Sequence, residues 1–173
     1  MLWTSRFTRQ PATRSSARSR AGVWAGYLAC GCALLYALVS FYWAAGGTAG
    51  LDTVGGSIEE MGRAHDARGI LLGSVAGVLK VAGGLVALAL VRPWGRAVPR
   101  WLLLTASWGG GVVLTVYGGL LVAAGALVLS GAIDPAGPVD RTALRWHVML
   151  WDLWFLVWGV LLGIAAWQYT RRR

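Results

Sequence analysis

Charge is what this sequence has least of. Of its 173 residues 13% are charged and 57% hydrophobic, whereas a soluble domain of that length carries nearly twice the charge fraction. That excludes an ordinary soluble globule. Acids are scarcer still, 7 against 16 basic residues. The two cysteines, Cys30 and Cys32, stand two apart in a helical stretch and point to roughly opposite sides, so they do not pair with each other. No second Cys or His pair supports a metal or redox role for them, and small apolar packing residues is the better description. Also missing are a Ser-His-Asp arrangement, a Walker loop and an HExxH metal motif. No cofactor or metal is implied, and an enzyme is the least favoured class. No repeat of roughly 20 to 50 residues appears, and the halves do not match as an inverted repeat.

What is present in quantity is apolar length. A spanning helix needs about 20 apolar residues, and four stretches supply them: 23–45, 70–91, 102–130 and 144–169. The expected fold is all-α, an integral membrane four-helix bundle over 23–173, preceded by a disordered basic tail over 1–22. A cleaved signal peptide is the rival reading of the N-terminal region. The first apolar run is too long for one and three more follow, so retention is expected. The net charge of +9 is not spread as nucleic-acid binding requires. Arg6, Arg9, Arg14, Arg18 and Arg20 precede the first span, Arg92, Arg96 and Arg100 separate the second and third, and Arg171 to Arg173 end the chain. The alternate loops hold the acids Asp52, Glu59, Glu60, Asp66, Asp134 and Asp140. Under the positive-inside rule both termini are cytoplasmic and the acidic loops lie outside the cell membrane. The partner so implied is the lipid bilayer.

Local signals punctuate this plan. Phe41-Tyr42-Trp43 suits the outer interface, and Gly46, Gly47 and Gly50 end the first helix. Ser57-Ile58-Glu59-Glu60 has the form of a capping box, with Ser57 as cap and Glu60 reaching back, opening a short outer helix. Gly69, Gly73 and Gly77 repeat every four residues, and Lys80 and Gly84 continue that face, the small-residue pattern that lets membrane helices approach closely. Span two stops before Pro93. Span three is longer than one crossing needs and carries Gly109-Gly110-Gly111, where a kink is expected. Asp134-Pro135-Ala136-Gly137-Pro138 reads as an ordered turn. Gly22 and Gly26 offer a further glycine face for a homodimer or a membrane partner.

Several of these motifs combine Trp, Gly and charge at fixed places: Phe41-Tyr42-Trp43-Ala44-Ala45-Gly46-Gly47-Thr48 with Gly50-Leu51-Asp52; Arg92-Pro93-Trp94-Gly95 with Pro99; and Arg145-Trp146-His147 running to Leu150-Trp151-Asp152, Trp154-Phe155 and Trp158-Gly159. In these the chain resembles a family of small bacterial four-span membrane proteins, domain of unknown function 3995. The resemblance covers about Val23 to Arg173. It implies the four-span topology and no mechanism. The family pattern has a His where this chain has Ser40, and often a Pro where it has Leu153.

Ionisable residues at membrane depth cost roughly 2.5 to 3.5 kcal/mol each on insertion scales, so each needs a reason. Lys80 and Asp152 are the two. At about 1.5 Å per residue Lys80 lies about 15 Å below Ile70, and Asp152 about 12 Å below Leu144. Asp152, Gly159 and Gly163 share a small-residue face. The expectation is that the two glycine faces pack and that Lys80 pairs with Asp152, with Arg145 as a competing partner. The pair then either fixes helix register or forms a site for a proton, an ion or an anionic ligand. His147, Trp151, Trp154 and Trp158 form a second stripe, turned about 140° from Asp152 in an α-helix. At the outer end Arg145, His147, His65, Asp66, Glu59 and Glu60 could gather around a headgroup or metal, although their spacing is no recognised metal motif. The favoured function is binding of a lipid or apolar ligand, or service as an accessory membrane subunit. The alternatives are a proton- or ion-coupled carrier using Lys80 and Asp152, with Thr105, Ser107 and Thr115 as thin further support, and a membrane enzyme with an outer-face site at His147.

Overall fold

The computed structural model describes residues 13–135 and 137–171, and all regular structure among them is helical. Four helical segments are long and apolar enough to cross a membrane: Arg20–Ala44, Ala67–Ala89, Arg100–Leu129 and Arg141–Arg171. The first lies within α1 (Thr13–Ala44). Two short helices, α2 (Leu51–Val54) and α3 (Gly56–Ala64), cover one end of the molecule, the loop end. The chain returns along α4 (Ala67–Ala89) to the terminal end. After a 3₁₀ turn at Pro93–Ala97 it runs back along α5 (Arg100–Leu129). The last crossing is α6 (Arg141–Trp146), a π-helical turn (His147–Trp151) and α7 (Asp152–Arg171) in unbroken succession.

Several local expectations change. Thr13–Gly22, read as tail, is the first part of α1; residues 1–12, Ala136, Arg172 and Arg173 lie outside the described residues, so tail and turn are described only in part. The capping box does not form. Gly55 and Gly56 turn the chain with positive φ (65° and 56°), and Gly55 takes the cap position without a side-chain bond, leaving Ser57 inside α3. The caps that do form are carboxylates. Asp66 accepts from the Gly69 N–H at 2.7 Å, and Asp140 from Thr142 and Ala143 at 2.8 and 3.1 Å, each satisfying amides that a helix start leaves unpaired. Helix α5 continues unbroken through Gly109–Gly111, where a kink was expected.

Glycine does decide how the crossings pack, but with other partners than expected. On α4, Gly73 lies against Ala44, Gly77 under the Phe41 ring, and Gly84 against Ala33 and the Cys30 carbonyl, so this face is filled by α1. On α7, Gly159 lies against the backbone and hydroxyl of Thr115. Across the same seam Gly111 meets Gly159 and Gly163, Gly118 meets the Asp152 carbonyl, and Gly125 meets Val148. The glycine faces of spans two and four therefore pack on α1 and α5, not on each other, because α1 and α5 themselves present small residues where backbones come close. Gly22 and Gly26 are also covered within the chain, by Gln168 and Val91. They offer no free dimer face.

The crossings stand in the order α4, α1, α7, α5. Towards the terminal end the space between α1, α4 and α7 is filled by Ala25, Ala29, Ala33, Ala87, Leu90, Trp158, Leu162 and Ala166. Towards the loop end a separate buried group, Tyr36, Val54 and Trp151, is smaller and more aromatic. Space is left there.

Candidate functional site

That space is a partly open cavity of about 440 Å³ bounded by α1, α4, Tyr117 of α5, the π turn and α7, with α2 and α3 over it. Its walls are mostly aromatic and aliphatic, including Tyr36, Trp43, Leu51, Val54, Ile58 and Phe155, and its polar groups include Ser40, His65, Lys80, His147 and Asp152. Tyr36 is the hub of the wall, with ring centroids 5.8 Å from Trp151, 5.7 Å from Trp154 and 4.9 Å from Phe155, within the range where aromatic pairs attract.

Lys80 is the only lysine in the sequence. Its Nζ donates to Ser40 Oγ at 2.9 Å and sits 4.5 Å from the Tyr36 ring centroid. Ser40 Oγ in turn donates to the Tyr36 carbonyl at 3.3 Å. Among the described residues the ion pairs are Arg63 with Glu59 and His147 with Asp152, so Lys80 has no carboxylate within pairing distance. The expected Lys80–Asp152 ion pair is absent, although both residues line the cavity. The reason lies in the packing: α4 is drawn onto α1, whose Ser40 and Tyr36 meet the ammonium first.

Asp152 is engaged from its own helix. Its Oδ1 lies 3.3 Å from His147 Nδ1, and His147 Nε2 lies 2.9 Å from the Val54 carbonyl. In a uniform α-helix residues five apart diverge by about 140°. The π turn, whose backbone bond runs from the Asp152 N–H to the His147 carbonyl, turns both side chains to one side, the kind of local bulge often found at functional sites. The Val54 carbonyl can only accept, so that contact is a hydrogen bond when Nε2 carries the hydrogen, while Nδ1 faces the Asp152 carboxyl.

The other expected residues are dispersed. Glu59 pairs with Arg63 at 2.8 Å on the surface, Asp66 caps α4, and Glu60 and Arg145 are exposed. His65 ends α3 in the left-handed conformation (φ 45°), its ring against Gly46 at the cavity edge. The six residues do not form one cluster, and among the described residues no three His, Cys, Asp or Glu side chains gather as metal ligands. The aromatic stripe is structural in its contacts. Trp151 Nε1 donates to Thr53 Oγ1 at 3.1 Å and Trp154 Nε1 to the Cys32 carbonyl at 3.0 Å. Trp158 packs against Gly83, and its buried Nε1 has no partner. Ser107 bonds its own helix at the Leu103 carbonyl, 2.6 Å away, and Thr115 lies against Gly159; neither lines the cavity.

Missed at the level of sequence were Tyr36 and Thr53, and Ser40 stood out only as a departure from the family pattern. Tyr36 and Ser40 are polar residues four apart within an apolar run, and that spacing was the available signal for one helix face. Thr53 and Val54 carried none, because their role comes from α2 lying across the cavity.

A second space adjoins the first. Where α4 and α5 diverge, a lateral groove of about 520 Å³ is floored by Phe155, Trp158 and Leu162, and it shares Ala76, Lys80 and Phe155 with the cavity.

Fold and site together define an all-helical protein of four membrane-length crossings, with a cavity at the loop end centred on one lysine and one histidine–aspartate pair. The chain belongs to the family described as protein of unknown function DUF3995, whose model matches residues 33–162, and that stretch contains every residue lining the cavity and the groove. No curated protein and no solved structure matches the chain.

Proposed function

We propose that this is an integral membrane protein that binds a lipid or apolar ligand in the cavity beneath α2, with both termini in the cytoplasm and the loop end outside. The observation that carries the reading is the cavity itself, whose volume and largely apolar, aromatic walls with a few converging polar groups suit a small ligand. The orientation is supported by Arg92, Arg96, Arg100 and Arg171 at the terminal end and by the acids of the loop end. Filling the cavity tests it. Ala76 faces both cavity and groove. Protein purified in mild detergent is expected to retain an extractable hydrophobic ligand, detected by mass spectrometry, and Ala76→Trp is expected to lose it. Equal content in both proteins would count against the proposal.

One observation favours a second reading. Lys80 and Asp152 are unpaired with each other and face one cavity, and His147 lies beside Asp152, so that titratable groups gather there as a proton-coupled carrier would need. Against it stands the apolar filling between α1, α4 and α7 towards the terminal end. Ligand-driven proton uptake into vesicles containing the protein, abolished by Asp152→Asn, would put the carrier first. An outer-face enzyme has less support, since no first-loop carboxylate bonds His147.

A further inference from the structure

We infer that the cavity and the lateral groove together hold a single-chain fatty carboxylate, its head at Lys80 and its chain between α4 and α5. The inference rests on the ligand-binding reading above and names the ligand class.

The head follows from charge. A cation at membrane depth needs compensation, and Lys80 has a hydroxyl and a ring for neighbours, neither of which brings negative charge. Asp152 is not within pairing distance of the ammonium, and its contact is with His147 on its own helix. Lys80 is left facing the cavity without a paired carboxylate, and a monoanionic head supplies one. Among the described residues no arginine lines either space. A phosphate monoester, which carries up to two negative charges, would leave one of them uncompensated, whereas a carboxylate matches one to one and is the smallest head to seat in mid-span.

The chain follows from shape. Lys80 lies part-way along the groove, with Val86 about 9 Å beyond it along α4, and the rest of the wall is apolar, including Leu79, Val113 and Leu162. From Ala76 to Val86 it extends about 15 Å along α4 at the α-helical rise. Leu79 and Val113 are exposed on its rim, so an alkyl chain can enter sideways from the bilayer while the head reaches Lys80. The groove beside the lysine accommodates one chain.

The test is saturable binding of tritiated palmitate to the full-length protein in detergent micelles, with unlabelled monopalmitin and palmitoyl lysophosphatidate as competitors. Palmitate is expected to bind about tenfold or more tightly than neutral monopalmitin, the size of one charge-assisted hydrogen bond, and more tightly than lysophosphatidate. Lys80→Met is expected to erase the preference over monopalmitin, and Ala106→Trp, at an exposed groove residue, to weaken both ligands. Because Lys80 is the only lysine, palmitate is also expected to slow its labelling by an amine-selective reagent in the unmutated protein, a readout that does not depend on a variant folding. Equal binding of palmitate and monopalmitin, both blocked by Ala106→Trp, overturns the carboxylate assignment and leaves the broader reading standing. Preference for lysophosphatidate overturns it likewise. Absence of saturable binding by all three overturns both.

Discussion

At the residue scale the deciding facts are hydrogen-bond valences. His147 joins α2 to the last crossing through one ring nitrogen and meets Asp152 through the other, while Lys80 is held by Ser40. A double-mutant cycle on thermal stability is therefore expected to find His147 and Asp152 coupled by about 1 kcal/mol or more, the scale of a hydrogen bond involving a charged group. The same cycle on Lys80 and Asp152 should return a smaller coupling, and exchanging the two should not restore what either substitution removes. A larger Lys80–Asp152 term would contradict the geometry. Both charged residues were legible in the sequence, because charge inside an apolar run is conspicuous. Their partners were not. Lys80's partner depends on which helix α4 packs against, and the His147–Asp152 contact depends on a π turn that a uniform helical period cannot represent.

At the element scale glycine acts by position. A β-carbon at Gly118 would fall 2.5 Å from the Leu156 nitrogen and 2.7 Å from the Asp152 carbonyl oxygen, whereas at Gly109 it would meet nothing within 4 Å. Gly118→Ala is expected to cost about 1 to 3 kcal/mol as overpacking against backbone, and Gly109→Ala to leave the melting temperature unchanged or slightly raised, since Ala is the better helix former. Melting curves of the two variants in one detergent check the pair. The α2 cover makes a second case. Leu51 and Val54 are its buried residues, and its side-chain ties to the last crossing run through Thr53 and Val54. Thr53→Val should remove the Trp151 bond at a cost of about 1 kcal/mol and speed amide exchange across Leu51–Val54. Exchange at the unmodified rate would show that the bond does not hold the cover. The existence of all four crossings was legible from apolar length, and the glycine spacing on α4 from its period of four. The choice of partner for that face was not, because a small-residue face fits any other small-residue face.

For the whole molecule, the proposed orientation predicts that a cysteine introduced at exposed Glu60 reacts with a membrane-impermeant thiol reagent added to intact cells, while one at exposed Arg96 reacts only after the membrane is opened. The reverse pattern would invert the topology. Cys30 and Cys32, one buried and one half-buried in α1, are expected to stay unreactive as background.

By itself the sequence determined the helical class, the number of crossings, their approximate limits and the two residues whose charge had to be accommodated. These are one-dimensional properties, since a bilayer sets a length and an apolar run either meets it or does not. Tertiary structure alone decided that α4 lies on α1 and α7 on α5, and so that Lys80 meets Ser40, Asp152 meets His147, and a groove opens beside the lysine. Those outcomes depend on close approach between particular backbones and on one π turn. Several pairings of small-residue faces fit the same pattern, and only the packed chain selects among them.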